Sequence, residues 1–123
     1  MSKKVLIIDD SAIDAAVVKD LMAQEGLEPY VAATGEDGVK QAMEIKPDLI
    51  LLDLMMPGIS GFEVCSKIKQ EESLRNTIVL VLSAKDNMDD ITHAFQVKAD
   101  DYIIKPPMPE FLVKKVKLYL GIK

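Results

Sequence analysis

The sequence predicts an α/β fold whose core is a five-stranded, doubly wound parallel sheet. Short, mainly apolar runs recur along the chain, and each run ends at polar or turn-forming residues. Between these runs lie segments in which apolar residues repeat every three or four positions, a spacing typical of amphipathic helices. Continuous apolar runs are typical of strands buried on both faces, so helices are expected to cover both sides of the sheet.

The first strand is predicted at 5–8, where valine, leucine and isoleucine residues precede two aspartates. Ser11 follows, and Asp14 lies three residues later, which is typical of the capped start of a helix. Gly26 is expected to end this first helix. Apolar residues at four-residue spacing give this helix one apolar face: Ile13, Val17 and Leu21.

The second strand is predicted at 30–33, and its weak apolar pattern places it near an edge of the sheet. Thr34 is expected to start the second helix, which cannot continue through Pro47 because proline breaks a helix interior. The inward face of this helix is predicted to carry Val39, Ala42 and Met43.

The third strand is predicted at 49–53, where four large apolar residues run into Asp53. An acid at the end of a buried parallel strand lies at the carboxyl edge of the sheet, where α/β proteins bind ligands. Asp53 is therefore a candidate functional residue. Ser60 with Glu63 three residues on has the form of a capping box, so a third helix is expected to run to about Gln70.

The fourth strand is predicted at 78–82 and the fifth at 102–104. Asp86 or Asn87 is expected to cap the fourth helix, and Pro109 suits the first turn of the fifth. The apolar residues of these two helices are Ile91, Ala94 and Phe95 in the fourth, and Leu112, Val116 and Leu120 in the fifth. Right-handed crossovers then favour the flavodoxin-like strand order 2-1-3-4-5.

Composition narrows the functions that the chain can have. Its 123 residues fit a single domain. The net charge is −5, so the field of the whole chain does not attract nucleic acid. No stretch approaches the ~20 apolar residues that a membrane span needs. The single cysteine, Cys65, excludes an internal disulfide, fits a reducing cytoplasm and is expected to serve core packing.

Polar side chains stand at the ends of four predicted strands. They are Asp9 and Asp10 after the first strand, Asp53 after the third, Ser83 after the fourth and Lys105 after the fifth. Because parallel strands end at one edge of the sheet, we expect these side chains to form one site. Carboxylates about 5 Å apart repel one another by about 3 kcal/mol per pair at an effective dielectric of about 20. Lys105 offsets part of this repulsion, and a hard divalent cation on oxygen ligands offsets the rest, which indicates Mg²⁺ (or Mn²⁺).

A carboxylate, a divalent metal, an ammonium group and a hydroxyl together suit phosphoryl transfer, in which positioning and charge neutralisation do most of the catalysis. Asp53 is the candidate nucleophile and would form an aspartyl phosphate. It needs no general base, because aspartate carboxylates are ordinarily deprotonated at neutral pH.

With these features the whole chain resembles a response regulator receiver domain. The matching residues are Asp9-Asp10 after an apolar strand, Asp53-Leu54-Met55-Met56-Pro57 with Gly61, Ser83-Ala84, and Tyr102 with Lys105-Pro106. The resemblance implies a two-component signalling protein rather than an enzyme. In such a protein Asp53 takes a phosphoryl group from a histidine kinase or a histidine phosphotransfer domain.

The resemblance also implies how the metal and the phosphoryl group are held. Asp10 and Asp53 would ligate Mg²⁺ directly, Asp9 would act mainly through water, and the backbone carbonyl of Met55 would complete the set. Lys105 would pair with the phosphoryl group.

The same resemblance implies how phosphorylation would change the surface of the protein. Ser83 would move to hydrogen-bond the phosphoryl group, and Tyr102 would turn inward as the space behind Ser83 opens, which would switch the partner-binding surface. The peptide bond before Pro106 would be cis, which costs little for a bond to proline. Position, rather than the resemblance, makes the exposed Ala12-Ile13-Ala16 side of the first helix, beside Pro106 and Pro107, the candidate docking surface for the kinase.

We expect 1–123 to form one cytoplasmic receiver domain without an output domain, although a fragment of a longer regulator stays an alternative. Its partners would be the phosphate donor and an unidentified downstream protein, and neither nucleic acid nor a membrane. A haloacid-dehalogenase-like phosphatase is disfavoured because Met55 stands where that class has a second aspartate. A receiver-like protein that works unphosphorylated is disfavoured because every required site residue is present. Met55 and Lys85 offer no base at neutral pH, so we predict slow hydrolysis of the phosphoaspartate.

Overall fold

A computed structural model describes residues 2–122, and within that range the chain forms five strands, five α-helices and one short 3₁₀ helix. The strands are β1 (Lys4–Ile8), β2 (Glu28–Ala32), β3 (Leu49–Leu52), β4 (Ile78–Ser83) and β5 (Asp101–Ile104). The helices are α1 (Ala12–Gln24), α2 (Gly35–Ile45), α3 (Gly61–Gln70), α4 (Met88–Gln96) and α5 (Pro109–Leu120), and the 3₁₀ helix is Glu72–Leu74.

The strands form one parallel sheet in the order β2-β1-β3-β4-β5. This confirms the predicted flavodoxin-like order, and it places β2 at an edge as its weak apolar pattern indicated. All four residues of β3 are buried, as a continuous apolar run in a central parallel strand requires. The third strand ends one residue earlier than predicted, so Asp53 directly follows it.

Successive strand residues face two separate apolar layers, because side chains alternate along a strand. Leu6 and Ile50 face the layer beneath α2, α3 and α4. Val5 and Leu51 face the layer beneath α1 and α5. Each fully buried aliphatic side chain in these layers stabilises the fold by about 1.5–3 kcal/mol. The helices therefore pack against both faces of the sheet and hold the strands in position.

Four helices begin at side-chain caps, and each cap accepts the backbone N–H of the residue three positions on. The caps are Ser11, Thr34, Ser60 and Asn87. Such a cap stabilises a helix by about 1 kcal/mol. Of the two candidates predicted for α4, Asn87 is the residue that caps it.

The apolar face that four-residue spacing indicates for α1 is not the buried face, whereas the exposure expected for the side of α1 that carries Ile13 is confirmed. Ile13 and Val17 are 78% and 60% exposed, while the buried residues are Ala15, Val18 and Met22. Helix α1 carries apolar residues on several sides, so four-residue spacing fits two different faces. Packing against the sheet selects the face with Ala15, Val18 and Met22, and periodicity does not contain that information.

A similar correction applies to α2, where Met43 lies 40% exposed. Its buried positions are occupied by small residues, including Gly38 and Ala42. A Cβ atom at Gly38 would lie only 2.6 Å from the Ile8 side chain, so this helix lies close against the sheet. The close approach leaves little room on the inward face for a long side chain such as that of Met43.

Cys65 serves core packing, as predicted. Its side chain is fully buried, and its Sγ lies 3.4 Å from the carbonyl oxygen of Val97. Burial raises the pKa of the Cys65 thiol to about 11, so the reactive thiolate is scarce at neutral pH. Among residues 2–122, no helix combines the length and apolar character that crossing a bilayer would take.

Candidate functional site

The parallel sheet brings the predicted polar residues to one edge. Asp9 follows β1, and its backbone N–H donates to the Ala32 carbonyl on β2 at 3.0 Å. Asp53 follows β3, and its N–H donates to the Ile8 carbonyl on β1 at 2.9 Å. The sheet hydrogen bonding thus continues one residue beyond each strand, which fixes the backbone of both aspartates.

Three carboxylates meet at this edge. Asp9, Asp10 and Asp53 each offer a carboxylate oxygen, and these oxygens lie within 4.8 Å of one another. Asp9 and Asp53 are buried, at 5% and 7% exposure, while Asp10 is exposed. A cluster of oxygen donors that opens to solvent on one side fits a hard divalent cation such as Mg²⁺ or Mn²⁺, which keeps some of its waters.

Lys105 lies against this cluster from the end of β5. Its Nζ is 2.7 Å from an Asp9 oxygen, 2.9 Å from an Asp14 oxygen and 3.3 Å from an Asp53 oxygen. The peptide bond that follows Lys105 is cis, as predicted. One ammonium group is therefore shared by three carboxylates.

The pKa values of the cluster follow from burial and from this sharing. Burial alone lowers the pKa of Lys105, but its hydrogen bonds to Asp9 and Asp14 and the Asp53 charge more than offset that effect, so the pKa is raised. Burial raises the pKa of Asp9, and the Lys105 contact and the Ser11 N–H only partly compensate. Lys105 therefore stays charged throughout the neutral range, whereas the ionised form of Asp9 is disfavoured by its surroundings.

Each buried carboxylate is oriented by a backbone N–H two residues on. Asp9 Oδ1 accepts from the Ser11 N–H at 2.9 Å, and Asp53 Oδ1 accepts from the Met55 N–H at 3.0 Å. In both residues the other oxygen, Oδ2, contacts Lys105. The two side chains are therefore held in defined orientations by their own turns.

Gly61 allows the loop after Asp53 to fold closely over the start of α3. A Cβ atom at Gly61 would lie 2.6 Å from Leu54 Cα and 2.7 Å from the Asp53 carbonyl oxygen. Both are backbone atoms, which cannot move aside as a flexible side chain can. Glycine is thus required here for steric reasons, and it keeps the segment after Asp53 in place.

Ser83 and Tyr102 lie next to the cluster but are not joined to it. Ser83 is buried, and its Oγ accepts from the Lys85 N–H at 3.3 Å. The Tyr102 hydroxyl donates to the Lys85 carbonyl at 2.7 Å, so it is not simply hydrated. Burial, aided by the Asp90 charge, raises the pKa of Tyr102. In the described range, neither side chain hydrogen-bonds a carboxylate of the cluster, and both are tied to the segment that follows β4.

Two of the predicted docking residues, Pro106 and Pro107, line a groove between α1 and the connection from β5 to α5. A cavity of about 370 Å³ lies there, lined partly by Val17, Leu21, Pro106 and Pro107. Asp14 and Lys105 also line it, so the groove reaches the carboxylate cluster. Ile13 does not line this cavity, but it lies strongly exposed on the same helix.

Asp14 is the site residue that sequence reasoning missed, because it was interpreted only as part of a helix start. A signal existed in the sequence, since Asp14 lies in the first turn of a helix that begins four residues after β1 ends. A side chain in that turn lies near the carboxyl edge of the sheet. Its contact with Lys105, however, depends on the orientation of α1, which periodicity left undecided.

Comparison with known proteins gives one consistent result. The sequence profile of the response regulator receiver domain matches residues 5–117. The transcriptional regulatory protein AfsQ1 of Streptomyces coelicolor is 39% identical over 120 residues, which cover 98% of this chain and 52% of AfsQ1. The chain spans about half the length of the curated relatives it matches.

Solved structures give the same result. A CheY-like response regulator receiver domain protein of Methanospirillum hungatei aligns with a TM-score of 0.93 at 26% identity, over 98% of this chain and 95% of that one. The BeF3-activated receiver domain of DrrB aligns with a TM-score of 0.90 at 31% identity, over 98% of this chain and 99% of that one.

The raised pKa of Asp9 predicts how the stability of the metal-free protein depends on pH. Because the folded state binds the Asp9 proton more tightly than the unfolded chain, Asp9 favours folding at low pH, and this contribution is lost as the pH rises through the raised pKa. Asp9→Asn carries no charge, so it is expected to be more stable than wild type at pH 7. The difference should shrink toward zero as the pH falls below about 3.9, the ordinary aspartate value.

Urea denaturation without divalent ions measures this difference. The matched control is Asp20→Asn, which removes an exposed charge from α1 and should change stability little at any pH. An Asp9→Asn protein less stable than wild type at pH 7 would contradict the proposed balance of charges.

The carboxylate cluster predicts stabilisation by Mg²⁺. An ion that binds only the folded state raises the free energy of unfolding by about 2.7 kcal/mol at a hundredfold excess over its dissociation constant. Asp10→Asn should lose most of this gain while folding normally, because Asp10 is exposed. Thermal unfolding with Mg²⁺ and with a chelator measures the effect, and Asp20→Asn should retain it. An undiminished gain in Asp10→Asn would rule out Asp10 as a ligand.

Proposed function

This chain belongs to the response regulator receiver domain family, and on that premise we propose that Asp53 accepts a phosphoryl group from a phosphohistidine. The donor is a histidine kinase or a histidine phosphotransfer domain. The observation that carries the proposal is that Asp53 Oδ2 lies beside the Lys105 ammonium, while Asp9 and Asp10 offer oxygens within 4.8 Å. A dehalogenase-like phosphatase is the less favoured alternative, because Met55 stands where that class has its second aspartate.

The reaction is an in-line displacement at phosphorus. A carboxylate oxygen of Asp53 forms the new P–O bond while the P–N bond to the donor histidine breaks, and the released imidazole nitrogen takes up a proton. The Met55 N–H holds Oδ1 of Asp53, so the carboxylate meets the donor in a fixed orientation. The protein contributes position and charge, and the acyl phosphate on Asp53 is the one covalent change in the chain.

Asp10 and Asp53 are proposed to ligate Mg²⁺ or Mn²⁺ directly, with Asp9 acting mainly through water and the Met55 carbonyl completing the set. When bound, such an ion would neutralise negative charge on the oxygens of the phosphoryl group during its transfer. The oxygen-only donor set and the exposed side of the cluster support this assignment.

Lys105 supplies the second positive charge. Its Nζ already lies 3.3 Å from Asp53 Oδ2, so a phosphoryl group on Asp53 would bring a further anionic oxygen within reach. The buried ammonium would then form charge-assisted hydrogen bonds to that group. This pairing would stabilise the phosphorylated state.

Ser83 and Tyr102 are proposed to carry the signal away from Asp53. Ser83 would move toward the phosphoryl group, and its hydroxyl would donate a hydrogen bond to a phosphoryl oxygen. Lys85 connects the two residues, because its N–H contacts Ser83 and its carbonyl accepts from Tyr102. A displacement of Ser83 would thus disturb the Tyr102 hydrogen bond and change the surface around β5.

The groove beside α1 is proposed to receive the phosphate donor. Pro106 and Pro107 form a rigid wall of the groove, which Lys105 also lines, and Ile13 offers an exposed apolar side chain on α1. Residues 1–123 are proposed to act as one receiver unit in the cytoplasm, whose reducing conditions suit the single thiol of Cys65. The downstream partner is proposed to be a protein rather than nucleic acid or a membrane.

Phosphorylation of Asp53 is testable directly. Acetyl phosphate with Mg²⁺ should add the mass of one phosphoryl group to the wild-type chain, and Asp53→Asn should show no such adduct. Asp37→Asn is the matched control, since it removes an exposed aspartate of α2 and should be labelled like wild type. Intact-protein mass spectrometry measures the adduct. Equal labelling of Asp53→Asn would exclude Asp53 as the acceptor.

The same labelled protein reports the lifetime of the phosphoaspartate. Hydrolysis should be slow because neither Met55 nor Lys85 offers a base that could activate water. Lys85 Nζ is instead paired with Asp90 Oδ2 at 3.6 Å. A half-life of seconds with Mg²⁺ present would contradict slow hydrolysis without affecting the identity of the acceptor.

The docking surface predicts a selective defect. Ile13→Glu places a charge on the exposed face of α1 and should slow phosphotransfer from a histidine kinase that labels the wild type, by about tenfold, the loss typical of a central interface contact. Acetyl phosphate labelling should be unchanged, because the site itself is intact. Leu118→Glu on the exposed side of α5 is the matched control and should behave like wild type. Unchanged kinase transfer to Ile13→Glu would exclude this surface.

A further inference from the structure

Asp14 is a charged partner of Lys105 to which neither the proposed reaction nor the predicted site gives a role. Its Oδ2 lies 2.9 Å from Lys105 Nζ, closer than the 3.3 Å between Nζ and Asp53 Oδ2. The ammonium thus has shorter contacts to Asp9 and Asp14 than to the residue that accepts the phosphoryl group. Lys105 is held on the α1 side of the cluster.

The position of Asp14 is fixed by the start of α1. Its backbone N–H donates to the Ser11 side chain at 3.2 Å, which sets the first helical turn. Its carboxylate is free to face Lys105 because no helix cap uses it. The Asp14 side chain is 48% exposed whereas that of Lys105 is 13% exposed, so the contact lies where the site meets the groove.

We propose that Asp14 is a positioning residue that holds the Lys105 ammonium away from Asp53 in the unphosphorylated protein. This inference rests on the proposed function of Asp53. A phosphoryl group on Asp53 must draw Lys105 from Asp14 before the two can pair fully. Asp14 therefore opposes phosphorylation and favours the resting state.

The charge of Asp14 acts in the same direction. Phosphate donors are anions, so one more carboxylate beside the site repels the donor and the phosphorylated product alike. The same carboxylate attracts a divalent cation, and by holding Lys105 it limits the competition of the ammonium for the Asp53 oxygen, which is the most distant of its three contacts. Removing it should thus favour phosphorylation and weaken Mg²⁺ binding. A substitution that only disturbed the fold of the site would weaken both Mg²⁺ binding and phosphorylation, so faster phosphorylation with weaker Mg²⁺ binding distinguishes the two explanations.

The test compares wild type, Asp14→Asn and Asp20→Asn. The two variants lose the same charge from the same helix, but Asp20 is exposed and lies outside the site. The rate of acetyl phosphate labelling is measured at Mg²⁺ concentrations that saturate each protein, and the Mg²⁺ dissociation constant is measured by titration calorimetry. Asp14→Asn should be labelled about two- to fivefold faster and bind Mg²⁺ about two- to fivefold more weakly, the range that a half-exposed ion pair allows.

Equal behaviour of Asp14→Asn and Asp20→Asn, or slower labelling of Asp14→Asn, would overturn the inference. Circular dichroism checks the fold, and Asp14→Ser serves as the second variant if Asp14→Asn is destabilised. If wild type gives no Asp53-dependent adduct, the proposed function fails, and the Mg²⁺ titration alone then decides whether Asp14 acts on the cluster.

Discussion

The site depends on one electrostatic constraint, which is that several carboxylates at a sheet edge share a single ammonium group. Asp9, Asp14 and Asp53 all contact Lys105, and Asp10 adds a further negative charge nearby. Buried charges are costly unless they are paired, and one cation does not neutralise this set. The cluster therefore favours an added positive charge. Burial, with a smaller contribution from the Asp53 charge, raises the pKa of Asp9.

The rest of the fold holds these groups in place against their repulsion. Sheet hydrogen bonds continue past the strands to the backbones of Asp9 and Asp53, and Gly61 lets α3 pack against the loop that follows. Apolar layers on both faces keep the strands from separating. The polar link from Ser83 through Lys85 to Tyr102 is smaller and lies beside this rigid part. We propose that a change of charge at Asp53 displaces this link and leaves the sheet unchanged.

The strands, their order and the convergence of their ends could be predicted because each depends on local pattern or on general rules of handedness. Apolar runs locate the strands, and right-handed crossovers leave few sheet orders. The face of α1 could not be predicted, because Ile13 and Val18 belong to two faces that are both apolar. Asp14 was missed for the same reason, since its contact with Lys105 joins α1 to the end of β5 across a distance of 91 residues in sequence. The face of α1 that is buried determines both its packing and the position of Asp14. Periodicity does not identify that face when a helix is apolar on several sides.

The sharing of Lys105 can be observed at its own nitrogen. Proton-detected ¹⁵N NMR of lysine side chains, assigned with Lys105→Arg, compares the resting protein with the protein bound to Mg²⁺ and beryllofluoride, a phosphoryl mimic. A Lys105 ammonium held by carboxylates should give a slowly exchanging signal at neutral pH, and this signal should shift when the mimic binds at Asp53. A Lys105 signal that exchanges as fast as those of exposed lysines, or that does not change on binding, would contradict the account.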